Sequence, residues 1–215
     1  RLKSAAARPE AAGLTGEHRR FLDETLADFR QQGADLPAGP KARLEAVQSE
    51  LAQLTQKYSE NVLDATNAWE LLVTDPARLR GLPEHARESA RQNALRKGQG
   101  TAEAPVWRFT LHGPSLEPVM LYAEEESLRR EVWTASAAVG REGVHDNREL
   151  VKRILARRQE KAALLGQAHF ADLVLQRRMA KSGAQALAFV EDLHRRVAAA
   201  FAREGKELEA FKAEQ

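Results

Sequence analysis

The strongest constraint on the fold of this chain is the stretch from Pro40 to Val73, where apolar residues recur every three or four positions. That spacing places them on one stripe of a long helix, which must be buried against other helices. Between Asn61 and Trp69, residues that favour caps and turns interrupt the pattern, and an extended-looking segment follows. We therefore predict a helix that leads into a strand. The stripe consists of Leu44, Val47, Leu51, Leu54, Tyr58 and Val62.

The rest of the chain predicts a mainly α protein, with about seven helices in a helical array or bundle and one short two-stranded β element. We expect strands from Ala68 to Val73 and from Val106 to Leu111, paired with each other. Residues 1–14 are expected to be disordered or loosely attached. Besides the central helix, the predicted helices cover residues 15–33, 84–97, 124–139, 146–166, 170–175 and 182–215.

Two of these helices have a clear predicted inner face. The face of residues 84–97 is made of Ala86, Ala90 and Ala94, which allow close contact and contribute little apolar burial. The last helix is predicted to begin with a capping box formed by Ser182 and Gln185. Its predicted inward residues are Val190, Leu193, Val197, Phe201, Leu208 and Phe211.

Composition excludes several classes of protein. At 215 residues, with 43% hydrophobic and 30% charged residues, the chain can bury a sizeable core, and no apolar run approaches the roughly 20 residues of a membrane span. A net charge of +2 gives no case for nucleic acid or membrane binding. Arg153, Arg157 and Arg158 interleave with Glu149 and Glu160, which indicates a salt-bridged helix face. The absence of cysteine excludes disulfides and thiolate metal sites.

The histidines show no metal-binding or catalytic pattern. No two of the six have the i, i+4 spacing of a helical zinc site, and the chain contains no His-Glu-x-x-His, Gly-x-Ser-x-Gly or phosphate-loop motif. His85 with Glu88 and His145 with Glu149 are interpreted as surface or capping pairs, and His112 as a turn residue. The histidines are His18, His85, His112, His145, His169 and His194.

Two other groups of residues could bind a ligand but have simpler interpretations. The acidic run Glu124 to Glu126 could hold a cation, yet it suits the solvated start of a helix, where the helix dipole favours carboxylates. Trp69, Trp107 and Trp133 each lie in an apolar pattern and are interpreted as core anchors. We therefore predict no catalytic, cofactor-binding or metal-binding residue in this chain.

The segment from Tyr58 to Trp69, Tyr-Ser-Glu-Asn-Val-Leu-Asp-Ala-Thr-Asn-Ala-Trp, resembles the zinc oligopeptidase family over its whole length. That family contains oligopeptidase A, peptidyl-dipeptidase Dcp and thimet oligopeptidase, and the segment is closest to the oligopeptidase A pattern. Further segments match in order along nearly the whole chain: Phe29-Arg30, Gly33, Leu36-Pro37, Thr110-Leu111, Pro114-Ser115, Pro118-Val119-Met120, Asp146-Asn147, Ile154-Leu155, Arg157, Leu164-Leu165-Gly166, Asp172-Leu173 and Met179-Ala180. Leu116, where the family often has Tyr, is a departure.

The resemblance implies a large, mainly helical ellipsoid split by a deep channel, with zinc on the channel floor. By this mapping, residues 15–215 are part of the helical, non-catalytic domain of a larger metallopeptidase. The family's two zinc-binding histidines and catalytic glutamate, with the later glutamate ligand, have no counterparts here. The chain also begins without Met and ends inside a predicted helix, so we expect an internal fragment of a longer polypeptide.

The function implied is the channel roof of a cytoplasmic zinc metallopeptidase that hydrolyses short oligopeptides, with zinc bound by the parent enzyme and not by this chain. The fragment itself should be inactive, and its partners would be the missing catalytic domain and the parent's peptide substrates. An apolar face exposed by excision could cause self-association. The alternative is a free-standing, non-catalytic helical interaction module that derives from the same family. A basic nucleic-acid binder is a third hypothesis, and would bind with a steep salt dependence.

Overall fold

The computed structural model describes residues 2–214, which form ten α-helices and two strands. The predicted mainly α class is confirmed, but the predicted number of about seven helices is too low. In chain order the elements are α1 (Leu2–Ala6), α2 (Pro9–Ala12), α3 (Gly16–Gln31), α4 (Ala38–Ala68), β1 (Glu70–Val73), α5 (Glu84–Arg96), β2 (Trp107–Thr110), α6 (Gly113–Tyr122), α7 (Glu126–Ala138), α8 (Arg148–Leu164), α9 (Phe170–Leu175) and α10 (Gly183–Ala213), with 3-10 turns at Pro76–Leu79 and Gly143–His145.

The helix α6 escaped prediction because Gly113-Pro114 and Pro118 are typical of a turn or a break. Pro114 lies in the first turn of the helix, where a backbone N–H has no intrahelical partner in any case. Pro118 lies inside the helix, which persists around it, and the next residue, Val119, is completely buried in the core. Tertiary packing therefore outweighs the local cost of the second proline.

The other two helices that were not predicted, α1 and α2, lie within residues 1–14. Lys3 forms an ion pair with Asp35 over 2.5 Å, and Ala11 is buried. These short helices lie in the stretch expected to be disordered or loosely attached. That residues 1–14 are disordered or loosely attached in solution stays a prediction.

The long helix α4 differs from its prediction in its second half, because it continues without interruption to Ala68. The predicted stripe is buried at Leu44, Val47 and Leu54, but Tyr58 is 40% exposed. The polar residues after Tyr58 do not break the helix. The Thr66 hydroxyl, for example, donates to the carbonyl of Val62 one turn earlier over 2.8 Å, within the helix itself.

Contacts divide the chain into two compact units, residues 52–155 and residues 1–51 with 156–215. In the unit of residues 52–155, β1 and β2 pair antiparallel with Glu70 opposite Thr110, which confirms the predicted pairing in shorter strands. The alanine face of α5 is buried as predicted. The core of this unit consists of Val73, Leu79, Leu82, Ala90, Phe109, Val119, Ala123, Leu128 and Val132.

The other unit is held together by polar contacts around a smaller set of buried residues. Gln31 of α3 donates to the carbonyl of Leu173 in α9 over 2.8 Å, and Arg177 pairs with two carboxylates of α3. Arg43 of α4 lies 2.5 Å from Glu160 of α8. The buried apolar residues here are Ala11, Leu44, Val47, Ala162 and Leu173.

The last helix, α10, corrects a prediction, because none of its residues is buried. It begins as predicted, with the Ser182 hydroxyl accepting from the backbone N–H of Gln185 over 3.2 Å. Nothing in the described part of the chain covers its apolar stripe, so the side chains expected to face inward are exposed. They are Val190, Leu193, Val197, Phe201, Leu208 and Phe211, with exposed fractions from 46% to 79%. Of the helices described, including this one, none is long and apolar enough to cross a membrane.

Candidate functional site

A groove of about 940 Å³ lies beside α7 within residues 52–155. The end of α4 and residues next to the two strands form its opposite wall. The lining is mostly apolar, and charged side chains stand along its rim. Its apolar residues are Ala65, Trp69, Leu111, Ala135, Ala138 and Val139, and its charged residues are Glu126, Arg130, Glu131 and Glu142.

The groove follows from a change of residue size along the apolar face of α7. Leu128 and Val132, in the first two turns, are completely buried in the core. The next positions on that face are Ala135 and Ala138, whose methyl groups are too short to fill the space beside Trp69. A helix that packs tightly at its start therefore leaves an apolar trough at its end.

The rim of the groove is ordered by ion pairs at the start of α7. Arg130 lies 2.7 Å from Glu126 one turn earlier, and Arg78 reaches Glu131 over 3.2 Å. Arg78 also lies 3.1 Å from Glu125, the residue that precedes the helix. Hydrogen bonds from the Ser127 hydroxyl and then from Arg78 lower the pKa of Glu125. The helix begins at the third glutamate of the acidic run, which was predicted as a solvated helix start.

A buried pair of asparagines fixes the connection that follows α7. The Asn61 side-chain amide donates to Asn147 Oδ1 over 2.9 Å, and Asn147 Nδ2 donates to the carbonyl of Tyr58 over 3.1 Å. Both asparagines are 3% exposed. The backbone N–H of Asn147 also donates to Gly140 over 2.8 Å. The α7–α8 connection, which carries Glu142 to the rim, is thus tied to α4.

Glycine is required at position 140 of this connection. Its φ of +69° lies in the left-handed region, and a Cβ there would stand 3.1 Å from Asn147 Nδ2. The asparagine pair was missed by sequence reasoning because its members are 86 residues apart. The available signal was a polar residue, Asn61, on the apolar stripe of α4.

The histidines singled out in the sequence do not converge. Of the side chains described, no three from His, Asp and Glu come close enough together to hold a metal ion. We derive no reaction step through zinc. That the chain binds no metal and contains no catalytic residue stays a prediction. His112 precedes α6, His145 lies in a 3-10 turn, and His169 precedes α9.

Other singled-out residues have structural roles, with one exception. Trp69 and Trp107 pack against the core as predicted, but Trp133 is 60% exposed on α7, so its prediction as a core anchor is wrong. Arg157 pairs with Glu160 over 2.6 Å and with Glu50 over 2.7 Å, which confirms the predicted salt-bridged face at that position.

The chemistry of the groove suits binding better than bond cleavage. An apolar trough with charged edges can hold an extended chain that is apolar in the middle and polar at intervals. The hydroxyl at its edge, Ser127, donates to Glu125, whose pKa is lowered. A carboxylate with a lowered pKa is a weak general base, so this pair is poorly suited to activate a nucleophile.

Comparison with known proteins shows similarity to peptidases. The family model described as peptidase family M3 matches residues 119–215. Oligopeptidase A of Haemophilus influenzae is 35% identical over 98% of this chain and 30% of its own length. Oligopeptidase A of Escherichia coli is 36% identical over 93% of this chain and 29% of its own length. Dipeptidyl carboxypeptidase of Escherichia coli is 28% identical over 96% and 29% respectively.

Residues 119–215 are therefore similar to peptidase family M3, a family of metallopeptidases. Along nearly its whole length the chain is homologous to part of oligopeptidase A, which confirms the resemblance predicted from Tyr58–Trp69 and the later segments. The chain spans about 30% of the length of these relatives.

Proposed function

We propose that this chain is a helical, non-catalytic portion of an M3 oligopeptidase, and that it forms part of the roof of a channel in which short peptides are hydrolysed. The observation that carries the proposal is the similarity to oligopeptidase A over 98% of the chain. The donor set for the zinc ion that the resemblance implies would come from polypeptide outside these residues. Within the parent enzyme this portion would exclude folded proteins by shape.

The groove beside α7 supports a peptide-facing role. Its trough is apolar, its rim carries three glutamates and one arginine, and its lining follows α7 from Glu126 to Val139. A peptide in extended form presents side chains at intervals of about 3.3 Å, so several residues would span such a surface. The chain would contribute contact and orientation to the peptide, while the metal site of the parent would supply the chemistry of hydrolysis.

The uncovered face of α10 supports the view that this chain packs against further polypeptide. The exposed apolar side chains extend from Leu187 to Phe211 along the helix. The relatives contain more than twice as much polypeptide outside the matched region as inside it, because the chain spans 30% of their length. We assign the α10 face to contact with that remaining polypeptide, including the catalytic domain.

The test uses the full natural polypeptide and a photo-crosslinking peptide inhibitor. The full polypeptide is expected to hydrolyse short fluorogenic peptides and spare folded proteins, whereas the 215-residue chain alone is expected to be inactive. Crosslinks to Ala135, Ala138 or Val139 would support the roof assignment. Crosslinks that all fall outside residues 1–215 would overturn it, and hydrolysis by the short chain would contradict its non-catalytic role.

The alternative is a free-standing helical interaction module derived from the same family. The uncovered face of α10 also favours this candidate, because an interaction module needs an exposed apolar surface. The natural coding sequence separates the two hypotheses. A His-Glu-x-x-His motif downstream of Gln215 supports the peptidase, and a stop codon soon after it supports the module.

We assign the parent enzyme to the cytoplasm. The support is one relative, 35% identical over 80% of this chain, whose name is probable cytosolic oligopeptidase A of Arabidopsis thaliana. A second relative of equal identity is named as organellar, chloroplastic or mitochondrial. Fractionation of the source cells, with antibodies against this chain, would test the assignment.

A further inference from the structure

A second cavity in residues 52–155, of about 230 Å³, lies where α5, β2 and the first turn of α6 meet. Small residues of α5 leave the space open, and polar side chains from all three elements line it. None of its lining residues is acidic. They are Ala86, Ser89, Ala90, Asn93, Arg108, Phe109, Thr110, His112, Pro114 and Ser115.

The charged group of this cavity is Arg108 on β2, whose side chain is only 13% exposed. Its Nε donates to Glu70 on the neighbouring strand over 2.5 Å. In the part of the chain that the structure describes, its two terminal Nη groups have no hydrogen-bond acceptor. A guanidinium has five N–H donors in a rigid fork, and most of them are therefore unused in this largely buried position.

The hydroxyl of Thr110 is the second unpartnered group. Thr110 is 8% exposed, and its backbone N–H donates to the Ser115 hydroxyl oxygen over 2.9 Å. Its own side chain makes no hydrogen bond with the residues described. The Thr110 hydroxyl and the Nη groups of Arg108 are therefore both free to donate, and one ligand that accepts hydrogen bonds could engage them together.

The geometry of the cavity also favours an anion over a neutral acceptor. Arg108 is the charged lining residue, and Glu70 engages only its Nε, which leaves the outer edge of the guanidinium for a second partner. His112 precedes α6 without capping it through its side chain, and the positive end of the helix dipole lies beside the cavity. Asn93 and Ser89 of α5 can donate from the opposite side.

We propose that this cavity binds a small oxyanion, a phosphate or a carboxylate, held by the Nη groups of Arg108 and the hydroxyl of Thr110. A carboxylate or a phosphate matches the two parallel donors of a guanidinium edge. The site lies within residues 52–155 and uses no residue of the α7 groove. It is therefore independent of the proposed peptidase function, and either proposal can fail without the other.

The test is titration of the 215-residue chain with inorganic phosphate, followed by heteronuclear NMR and calorimetry. Amide shifts at Ser89, Asn93 and His112 are expected to saturate at millimolar phosphate or below. Arg108→Gln should weaken binding at least tenfold. The matched control is Arg87→Gln, which removes an exposed charge from α5 outside the cavity and should leave the affinity unchanged.

A second pair of variants separates loss of binding from loss of the fold, because Arg108→Gln also breaks the ion pair with Glu70. Thr110→Val keeps the shape and removes the hydroxyl, and should weaken binding severalfold at an unchanged melting temperature. Thr110→Ser keeps a hydroxyl at this position and should bind the oxyanion as tightly as the unmodified chain does. The proposal is overturned if no oxyanion binds at a concentration of about 10 mM, which is tenfold above a millimolar Kd. It is also overturned if Arg87→Gln weakens binding as much as Arg108→Gln does.

The two sources of the oxyanion are separated by a peptide pair. A tripeptide with a free C-terminal carboxylate is titrated beside the same tripeptide with a C-terminal amide. Binding of the acid and not of the amide, in competition with phosphate, would identify a chain terminus as the ligand. Binding of phosphate alone would identify a free inorganic or esterified phosphate.

Discussion

At the scale of single residues, the Asn61–Asn147 pair shows how a polar group can be accommodated in a helical core. Asn147 serves as acceptor for Asn61 and as donor to the carbonyl of Tyr58. Asn61 Oδ1, however, is buried without a partner among the residues described. The pair thus fixes the α7–α8 connection at the price of one unsatisfied oxygen.

Replacing Asn147 with Ala should therefore lower the free energy of unfolding by about 1–3 kcal/mol, because the amide of Asn61 would lose its partner in a buried position. Urea denaturation measures the change. Asn67→Ala, at an exposed position of α4, is the control, and should change stability by less than about 0.5 kcal/mol. Equal effects of the two substitutions would show that the buried contact has no special importance.

At the scale of elements, α4 and α8 are joined by carboxylate–guanidinium pairs. Glu160 accepts from Arg43 over 2.5 Å and from Arg157 over 2.6 Å. These hydrogen bonds, that from Arg43 first, lower the pKa of Glu160 below its ordinary value of 4.5. Since the folded-state pKa is the lower one, the ionised carboxylate stabilises the fold at a pH above the unfolded value. That contribution is lost as the pH falls through the folded value.

The Glu160→Gln variant should consequently melt below the unmodified chain at pH 6–7 (about two units above the ordinary carboxyl pKa). The difference should shrink to nothing in acid, as Glu160 becomes protonated. Thermal melting followed by circular dichroism over a pH series measures this. Glu149→Gln removes the same charge from an exposed pair on α8 and should change the melting temperature little at any pH. A constant difference across the series for Glu160→Gln would contradict the linkage.

The uncovered helix α10 leads to a prediction about association. Leu193→Gln with Val197→Gln interrupts its exposed apolar stripe, and should raise the monomer fraction of the 215-residue chain in sedimentation velocity. The control places Gln at Ala199 and Ala202, which lie away from that stripe on the same helix and should have no effect. A chain that is monomeric at every concentration before any substitution would show that this face does not self-associate.

The elements also show which parts of the fold follow from local sequence. Leu128 and Val132 recur with helical spacing and are buried, so α7 could be predicted from its pattern. The helix α6 could not, because the evidence for it is the packing of Val119 against distant residues and not its two prolines. The oxyanion cavity was equally hidden, since Arg108 and Asn93 meet only after α5 has packed beside β2.

At the scale of the whole molecule, burial is concentrated in residues 52–155, whereas α10 buries nothing. None of the residues of α10 is buried, and an isolated helix has limited stability in water. Hydrogen exchange of the dilute 215-residue chain should therefore show weak protection in the middle of α10. Amides next to Val73, Phe109 and Val132 should be the slowest to exchange.

Hydrogen–deuterium exchange with mass spectrometry, at a concentration where the chain is monomeric, measures this contrast. In the full natural polypeptide the same α10 amides should become protected, because the proposal for its function places further polypeptide over this face. Slow exchange of α10 in the isolated monomer would mean that the helix is stable alone. If the α10 amides gain no protection from exchange in the full polypeptide, the proposal that further polypeptide covers α10 is contradicted.

The alternation of side chains along β2 has one further consequence. Trp107 and Phe109 contribute to the apolar cluster, while Arg108 and Thr110 turn toward the oxyanion cavity. A shift of one residue in the pairing with β1 would carry the guanidinium into hydrocarbon and the indole into water. Insertions or deletions of a single residue inside this short ribbon should therefore be far less tolerated in evolution than changes in the length of the loop before it.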